Sequence, residues 1–352
     1  MSKPRLGRLT ISSETQKRLR QFLGVLVSGL SLYLAARHIQ LEDAWEAIVR
    51  ADWRLVAAAL GVYFGVNLVK TWRWWVLLGM YGGRVSFVYL FGSHIVGQML
   101  NLLLPARMGE VSRVVMVGGW LAQPAEQGMM FVTGTILVEK VCDMIVYALL
   151  FVTLLFLIPL PGWLGNSAYI FVGITLLASV ALFWITTQRK WLSVRLEKAA
   201  ARLPAGWRGR VEQALLAGLS SLDVLQKRAE LVKIALSSAL IWAGALWINH
   251  LLVLAFDFDL PLSAALLTLI ALQAGISIPA IPGKIGVFEY VCVLTLGFFK
   301  VGRAEALSYG ILLHVLLLLP VVLVGLIGLW LMKPPGGWAK LFRIHQEMEV
   351  KP

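Results

Sequence analysis

Charged side chains appear where an apolar helical segment ends. The stretch LLLPARMGEVSR, residues 102–113, passes from leucines through a proline and then carries Arg107, Glu110 and Arg113. The proline removes a helix donor, and the glycine permits close approach or an unusual backbone angle. A helix that begins near Met108 would present free N–H groups and its positive dipole end, so with Arg107 it could receive a phosphate or a carboxylate. The alternative is that both arginines are interfacial anchors that reach the cytoplasmic headgroups.

A second group of charges lies inside an apolar segment. The stretch LVEKVCDMIV, residues 137–146, contains Glu139, Lys140 and Asp143. Ionisable groups inside a membrane are costly unless they are paired or hydrated, so they mark a functional site or a specific ion pair. Because the two carboxylates are one helical turn apart, Lys140, an arginine of the first motif or a proton must compensate them. A purely structural bridge, Glu139 to Arg107 or Asp143 to Arg113, remains open.

A third motif repeats the order of the first. IPGKIGVFE at residues 281–289 and LPARMGE at residues 104–110 share the order apolar, Pro, small, basic, apolar, Gly and Glu. Their prolines lie half a chain length apart. Lys284 is placed to meet an anionic headgroup at the outer end of a path, and Glu289 is expected to pair across the interface between the two halves.

Other reactive side chains favour structural roles. The histidines His94, His250 and His314 lie in apolar runs, where a lone histidine is more often a hydrogen-bonded core residue than a ligand. Cys142 and Cys292 also lie in apolar segments and have no disulfide or zinc spacing. We therefore expect no metal and no cofactor.

The elements that must position these groups are transmembrane helices. Of the 352 residues, 59% are hydrophobic and only 14% are charged, which excludes an ordinary water-soluble domain. Several runs reach the roughly 20 residues that a crossing helix needs, and strand-like alternation is absent. The sequence therefore predicts an all-α polytopic membrane protein. The net charge of +13 is concentrated in the tails and in residues 188–233, as the positive-inside rule requires, and does not indicate nucleic-acid binding.

The apolar segments divide into two similar halves. We predict about six full spans and two re-entrant hairpins with broken helices, which give two inverted-topology repeats. The second segment places Lys70, Arg73 and Arg84 at its cytoplasmic end. The segments lie near residues 20–37, 54–79, 85–104, 128–158, 167–187, 233–256, 262–281, 285–300 and 304–331. The predicted units are a basic cytoplasmic tail at 1–19, repeat one at 20–158, repeat two at 167–331 with a basic amphipathic linker at 188–232, and a cytoplasmic tail at 332–352.

Few residues favour an enzyme. The stretch FDFD contains Asp257 and Asp259 on the predicted outer side, a pair that a membrane transferase could use to hold a metal-bound sugar phosphate. The hydrolase, metalloprotease, P-loop and dinucleotide fingerprints do not occur. The linker reads as surface-lying helices, so the sequence predicts no catalytic domain.

The three motifs together resemble the membrane region of bacterial lysylphosphatidylglycerol synthases, the multiple peptide resistance factors, and of stand-alone flippase-like proteins. The resemblance covers roughly residues 20–331. It implies a lipid-translocating domain with broken helices and cavities that face both leaflets. The soluble aminoacyl-transfer domain has no counterpart here, so lipid lysylation is not expected. The positions carried over are Asn101, Pro105, Arg107, Gly109, Glu110, Arg113, Glu139, Asp143, Pro282, Gly283, Gly286 and Glu289, with Lys140 where arginine is usual and Ala106 and Lys284 where small residues are common.

The leading hypothesis is a transporter for an anionic or polyprenyl-type lipid in the cell inner (cytoplasmic) membrane, with both termini in the cytoplasm. The lipid phosphate would meet Arg107, Arg113 and Lys284 in turn, with Asn101 and Glu110 beside them. The partners expected are membrane lipids, and a homodimer is an open alternative. A membrane-embedded transferase with a lipid-linked donor and a scaffold for cell-envelope enzymes are the rival hypotheses.

Overall fold

The computed structural model describes most of the membrane region. The described residues are 27–35, 37, 41–79, 85–104, 108–121, 125–158, 173–177, 180, 184–185, 188, 191–195, 205–276 and 282–332. Pro105 and Arg107 lie outside them, as do the predicted tails except for Met332. Most of the predicted segment at 167–187 also lies outside.

Within these ranges the secondary structure is helical and contains no strand, as predicted. A helical stretch at residues 27–35 precedes the first complete helix. The helices are α1 Leu41–Arg50, α2 Trp53–Leu77, α3 Phe87–Leu103, α4 Met108–Leu121, α5 Ala125–Leu157, α6 Ala205–Ser220, α7 Arg228–Ala255, α8 Leu262–Ile276, α9 Val287–Phe298 and α10 Arg303–Leu331, with 3-10 turns at Ser221–Gln226 and Pro282–Lys284.

The order of helix lengths occurs twice along the chain. Helices α2 to α5 have 25, 17, 14 and 33 residues, and α7 to α10 have 28, 15, 12 and 29 residues. The four long helices, α2, α5, α7 and α10, are apolar enough to cross a membrane. The four short ones form two consecutive pairs, α3–α4 and α8–α9. Each half therefore contains a long helix, two short helices and a second long helix.

The two halves pack against each other through corresponding helices. Helix α2 makes its most extensive contact with α7, its counterpart in the second half. Within each half, the second short helix packs on the following long helix, α4 on α5 and α9 on α10. Between the halves, α3 packs on α10 and α5 packs on α8. The charged residues of α2, α4 and α5 are thereby brought to one place.

Large apolar side chains cover the outside of the long helices. Leu149 and Phe156 of α5 are exposed, as are Leu236 of α7 and Leu326 and Trp330 of α10. Exposed apolar surface of this extent is unfavourable in water and favourable in hydrocarbon. These faces are therefore suited to contact lipid.

Part of the linker is packed into the bundle. Helix α6 and the following 3-10 turn lie against α5. Leu219, Leu222 and Val224 are buried there in the same apolar cluster as Phe131 of α5. This part of the linker is thus fixed to the end of the helix that carries the second charged motif.

Candidate functional site: a buried ion-pair cluster

The most buried charge of the site is Arg73 of α2. Its side chain is 0% exposed. Its two terminal nitrogens bind the carboxylate of Asp143 on α5, with Nη1 to Oδ1 at 2.7 Å and Nη2 to Oδ2 at 3.1 Å. Nη1 also donates to Ser238 Oγ of α7 at 2.9 Å. This forked geometry is the strongest form of the arginine–carboxylate pair, so Arg73 joins three long helices.

A second arginine reaches the neighbouring carboxylate. Arg113 Nη2 of α4 donates to Glu139 Oε2 of α5 at 2.8 Å, and Arg73 Nη2 lies 3.6 Å from the other oxygen of Glu139. The guanidinium carbon of Arg113 lies 4.0 Å from the ring centre of Trp74, a cation–π contact. Trp74 Nε1 in turn donates to Thr135 Oγ1 at 3.2 Å. Glu139 therefore binds both arginines.

A third ion pair lies at the open side of the cluster. Lys140 Nζ is 2.9 Å from Glu110 Oε1, and the two side chains are 44% and 26% exposed. Asp143 is 29% exposed, whereas Glu139 is only 7% exposed. The cluster thus has a closed end at Arg73, Arg113 and Glu139 and an open side at Glu110, Lys140 and Asp143.

Glycines allow α4 to lie close enough to place its charges. A Cβ atom on Gly109 would overlap the carbonyl group of Gly97 on α3, and one on Gly97 would lie 2.7 Å from Arg113 Cγ. The N–H of Gly109 donates to Asn101 Oδ1 at 2.8 Å, so a side chain of α3 binds a free donor at the start of α4. The prediction of a helix that begins near Met108 is confirmed.

A string of polar groups extends the cluster between α2 and α3. Gln98 Nε2 donates to Asn67 Oδ1 at 2.7 Å and contacts His94 Nε2 at 2.6 Å. The Nε atoms of Arg73 and Arg113 and the Nδ1 atom of His94 are buried, and none has a hydrogen-bond partner within the described ranges. Buried polar atoms without partners are unfavourable, so these three atoms are available to a ligand or to water.

The carboxylate of the third motif has hydrogen-bond partners separate from those of the first cluster. Glu289 Oε2 accepts from the N–H of Gly286 at 2.6 Å, and Oε1 lies 2.6 Å from His314 Nδ1 of α10. The predicted pairing of Glu289 across the two halves is wrong, because His314 lies in the same half. Gly283, Lys284 and Gly286 all have positive φ values, 78°, 60° and 89°.

The turn that carries Asp257 and Asp259 connects α7 to α8. Asp257 has a φ of 53°, and its N–H donates to the carbonyl oxygen of Leu254 at 3.0 Å. The rings of Phe256 and Phe258 stack, with centroids 5.5 Å apart. In the part of the chain that the structure describes, no three His, Cys, Asp or Glu side chains are arranged to hold a metal ion.

The structure brings together most of the charges predicted in the first half, and Glu139 binds Arg113, an arginine of the first motif. Asp143 binds Arg73 and not Arg113, because α2 lies beside α5 at that depth. Arg73 is also buried in the bundle, whereas the sequence placed it among the charges at the cytoplasmic end of α2. Its position in an apolar helix, three residues after Lys70, was the signal for a polar face.

The long apolar helices and the charges buried between them define a multi-pass helical membrane protein. The model of the lysylphosphatidylglycerol synthase TM region matches residues 21–325, and the chain belongs to this family. The chain is similar to the glycosyltransferase AglD of Haloferax volcanii, with 24% identity over 341 residues. That alignment covers 87% of this chain and 53% of AglD, so the chain spans about half the length of this relative.

Proposed function

We propose that the chain moves an anionic or polyprenyl-type lipid between the leaflets of the cytoplasmic membrane. The observation that carries the proposal is the cluster of Arg73, Arg113, Glu139 and Asp143, which is buried between membrane-spanning helices and open on one side. A lipid phosphate needs polar partners to cross hydrocarbon. The cluster supplies them, while the acyl chains stay in the bilayer.

The architecture that we propose for this activity has two inverted repeats, 20–158 and 167–331. Helices of 17, 14, 15 and 12 residues are about 26, 21, 22 and 18 Å long at 1.5 Å per residue. A hydrocarbon core is about 30 Å thick, so α3–α4 and α8–α9 are suited to enter and return as re-entrant hairpins. Six full spans then place both termini, including the tails 1–19 and 332–352, in the cytoplasm.

The residues predicted to contact the lipid phosphate have different roles in this proposal. Glu110 lies at the open side of the cluster and Arg113 at its buried end. Arg107, which precedes both in the sequence, is a further contact for the phosphate in this proposal. Lys284 receives the headgroup at the second break. Asn101 acts indirectly, because its side chain holds the start of α4.

The test is reconstitution of the full chain in liposomes that contain labelled phosphatidylglycerol, a labelled polyprenyl phosphate or labelled phosphatidylcholine. The exchange of labelled lipid between leaflets is followed by chemical quenching of the outer label. We expect faster exchange than in protein-free vesicles, and we expect Arg113→Gln to abolish the increase. Arg50→Gln is the control, because Arg50 binds Glu46 in an exposed pair. Equal exchange with and without protein would rule out the proposal.

A membrane-embedded transferase is the second candidate, and the name of AglD is the observation that favours it. Asp257 and Asp259 are the residues that this proposal needs. The double variant Asp257→Asn and Asp259→Asn separates the two candidates. A transferase would lose sugar transfer to a lipid acceptor in this variant, whereas a transporter would keep its lipid exchange.

A further inference from the structure

The described charges of the cluster do not cancel. Four of the described side chains are basic, Lys70, Arg73, Arg113 and Lys140, and three are acidic, Glu110, Glu139 and Asp143. One positive charge is therefore in excess within the apolar bundle. An isolated charge in such surroundings is strongly unfavourable unless a counter-charge or water reaches it.

The excess can be assigned to one residue. Arg73 is bound by Asp143, Arg113 by Glu139, and Lys140 by Glu110. Lys70 forms no salt bridge and no hydrogen bond with any other residue that the structure describes. It lies near enough to Asp143, Arg73, Glu139 and Lys140 to interact electrostatically with each of them.

Lys70 lies inside a helix that is long and apolar enough to cross a membrane. It lies seven residues before the end of α2 at Leu77, or about 10 Å at 1.5 Å per residue. It precedes Arg73 by three residues, so both side chains share the face of α2 that meets α5. Lys70 is half-buried and its neighbour Asp143 is partly exposed, so a ligand that enters the open side reaches Lys70.

We propose that Lys70 binds the phosphate group of the transported lipid and selects headgroups with a single net negative charge. The ammonium group is a compact charge with three donors, which suits phosphate oxygens. A singly charged phosphodiester cancels the excess charge of the cluster. A zwitterionic headgroup leaves the excess in place, and a cationic headgroup increases it. This inference rests on the proposed function.

The closing experiment measures binding and transport separately. The full chain is purified in a neutral detergent and titrated with phosphatidylglycerol, with phosphatidylcholine and with inorganic phosphate, and binding is followed by the tryptophan fluorescence. Leaflet exchange of the two lipids is measured in liposomes. The variants are Lys70→Gln and Lys70→Arg, with Lys233→Gln as the control because Lys233 binds Glu230 in an exposed pair.

We expect Lys70→Gln to bind phosphatidylglycerol about tenfold more weakly, as the loss of one charge-assisted hydrogen bond implies. It should also lose the preference for phosphatidylglycerol over phosphatidylcholine. Lys70→Arg should keep most of the affinity and most of the preference, and Lys233→Gln should behave as the wild type. Lys70→Gln should unfold at an unchanged or higher temperature, because it removes the excess charge without leaving a carboxylate unpaired.

The outcomes separate the two proposals. One outcome is that the wild type exchanges lipid while Lys70→Gln keeps the affinity for phosphatidylglycerol and the preference over phosphatidylcholine. The proposed role of Lys70 would then be wrong, and the transport function would stand. If the wild type exchanges no lipid, transport is wrong, and the titration alone decides on Lys70. Tighter binding of inorganic phosphate than of phosphatidylglycerol would assign the site to a free anion and overturn the lipid proposal.

Discussion

The two helix breaks have similar sequences and different chemistry. At the first break, Glu110 binds Lys140 on the next long helix. Glu110 lies at the open side of a cluster that also contains side chains of three other helices, and the described charges of this cluster have one positive charge in excess. At the second break, Glu289 occupies the corresponding position of the motif, yet it binds the start of its own helix and a single histidine. A repeated motif thus preserves the break in the helix, while the facing helices decide what its charge does.

The difference predicts that carboxylates of the two regions have unequal effects on stability. Glu139→Gln leaves two buried guanidinium groups with one carboxylate fewer, so we expect a loss of about 3–5 kcal/mol in the free energy of unfolding. Thermal unfolding of the purified chain in detergent measures this effect. Glu46→Gln is the control, because it removes an exposed ion pair with an expected effect of below about 1 kcal/mol. Equal melting temperatures for both variants would contradict the assignment of Glu139 as the centre of the cluster.

The second break should respond less strongly. Glu289→Leu removes the acceptor for the N–H of Gly286 and the partner of His314. Two charge-assisted hydrogen bonds imply a loss of roughly 3 kcal/mol. Because Glu289 stands apart from the first cluster, we expect the preference for phosphatidylglycerol over phosphatidylcholine to stay unchanged in liposomes. A changed preference would show that Glu289 takes part in headgroup selection, and the contrast between the two carboxylates would fail.

Glycine at the first break provides a steric test of the same comparison. A Cβ atom at Gly109 meets backbone of α3, so Gly109→Ala forces α4 away and should cost roughly 2 kcal/mol. Gly61→Ala is the matched control, since its Cβ meets no atom within 4 Å and alanine favours the helix by up to about 1 kcal/mol. Unfolding temperatures that fall for the first variant and rise slightly for the second would support the close packing of α3 on α4.

The smallest expected effect belongs to the open side of the first cluster. Lys140→Gln removes the ion pair with Glu110, which is partly exposed and therefore worth below about 1 kcal/mol. Transport should respond more than stability, because the change brings the described charges of the cluster to balance and removes its attraction for an anion. A large fall in unfolding temperature with unchanged lipid exchange would instead give this pair a purely structural role.

Local sequence predicted the helices and the region of the site well. The described parts of the apolar runs are helical except near some of their ends, and the helix after the first proline begins at Met108, near which its start is predicted. For Glu139 and Asp143 the sequence predicts compensation by Lys140, by an arginine of the first motif or by a proton, and in the structure each carboxylate binds an arginine. Each of these features depends on a few neighbouring residues, through hydropathy, proline and helical spacing.

The identity of the bases could not be predicted in the same way. Arg73 lies 70 residues before Asp143, and Ser238 lies 165 residues after Arg73. Their contacts depend on which helices are neighbours and on how far each is shifted along its axis. Without this information the sequence favours bases that are nearer in the chain, so it pairs Asp143 with Arg113 and makes Lys70 a flanking charge.

The sequence by itself determined that the chain is a helical membrane protein, where its helices break and which of them carry charge, because hydropathy and backbone restrictions act within one segment. Only the tertiary structure decided that six charges of the cluster pair with one another, while Lys70 forms no ion pair with a residue that the structure describes. The physical reason is that a charge in an apolar bundle takes the partner that helix packing brings within a few ångströms, and that packing joins α2, α4, α5 and α7 across both halves of the chain.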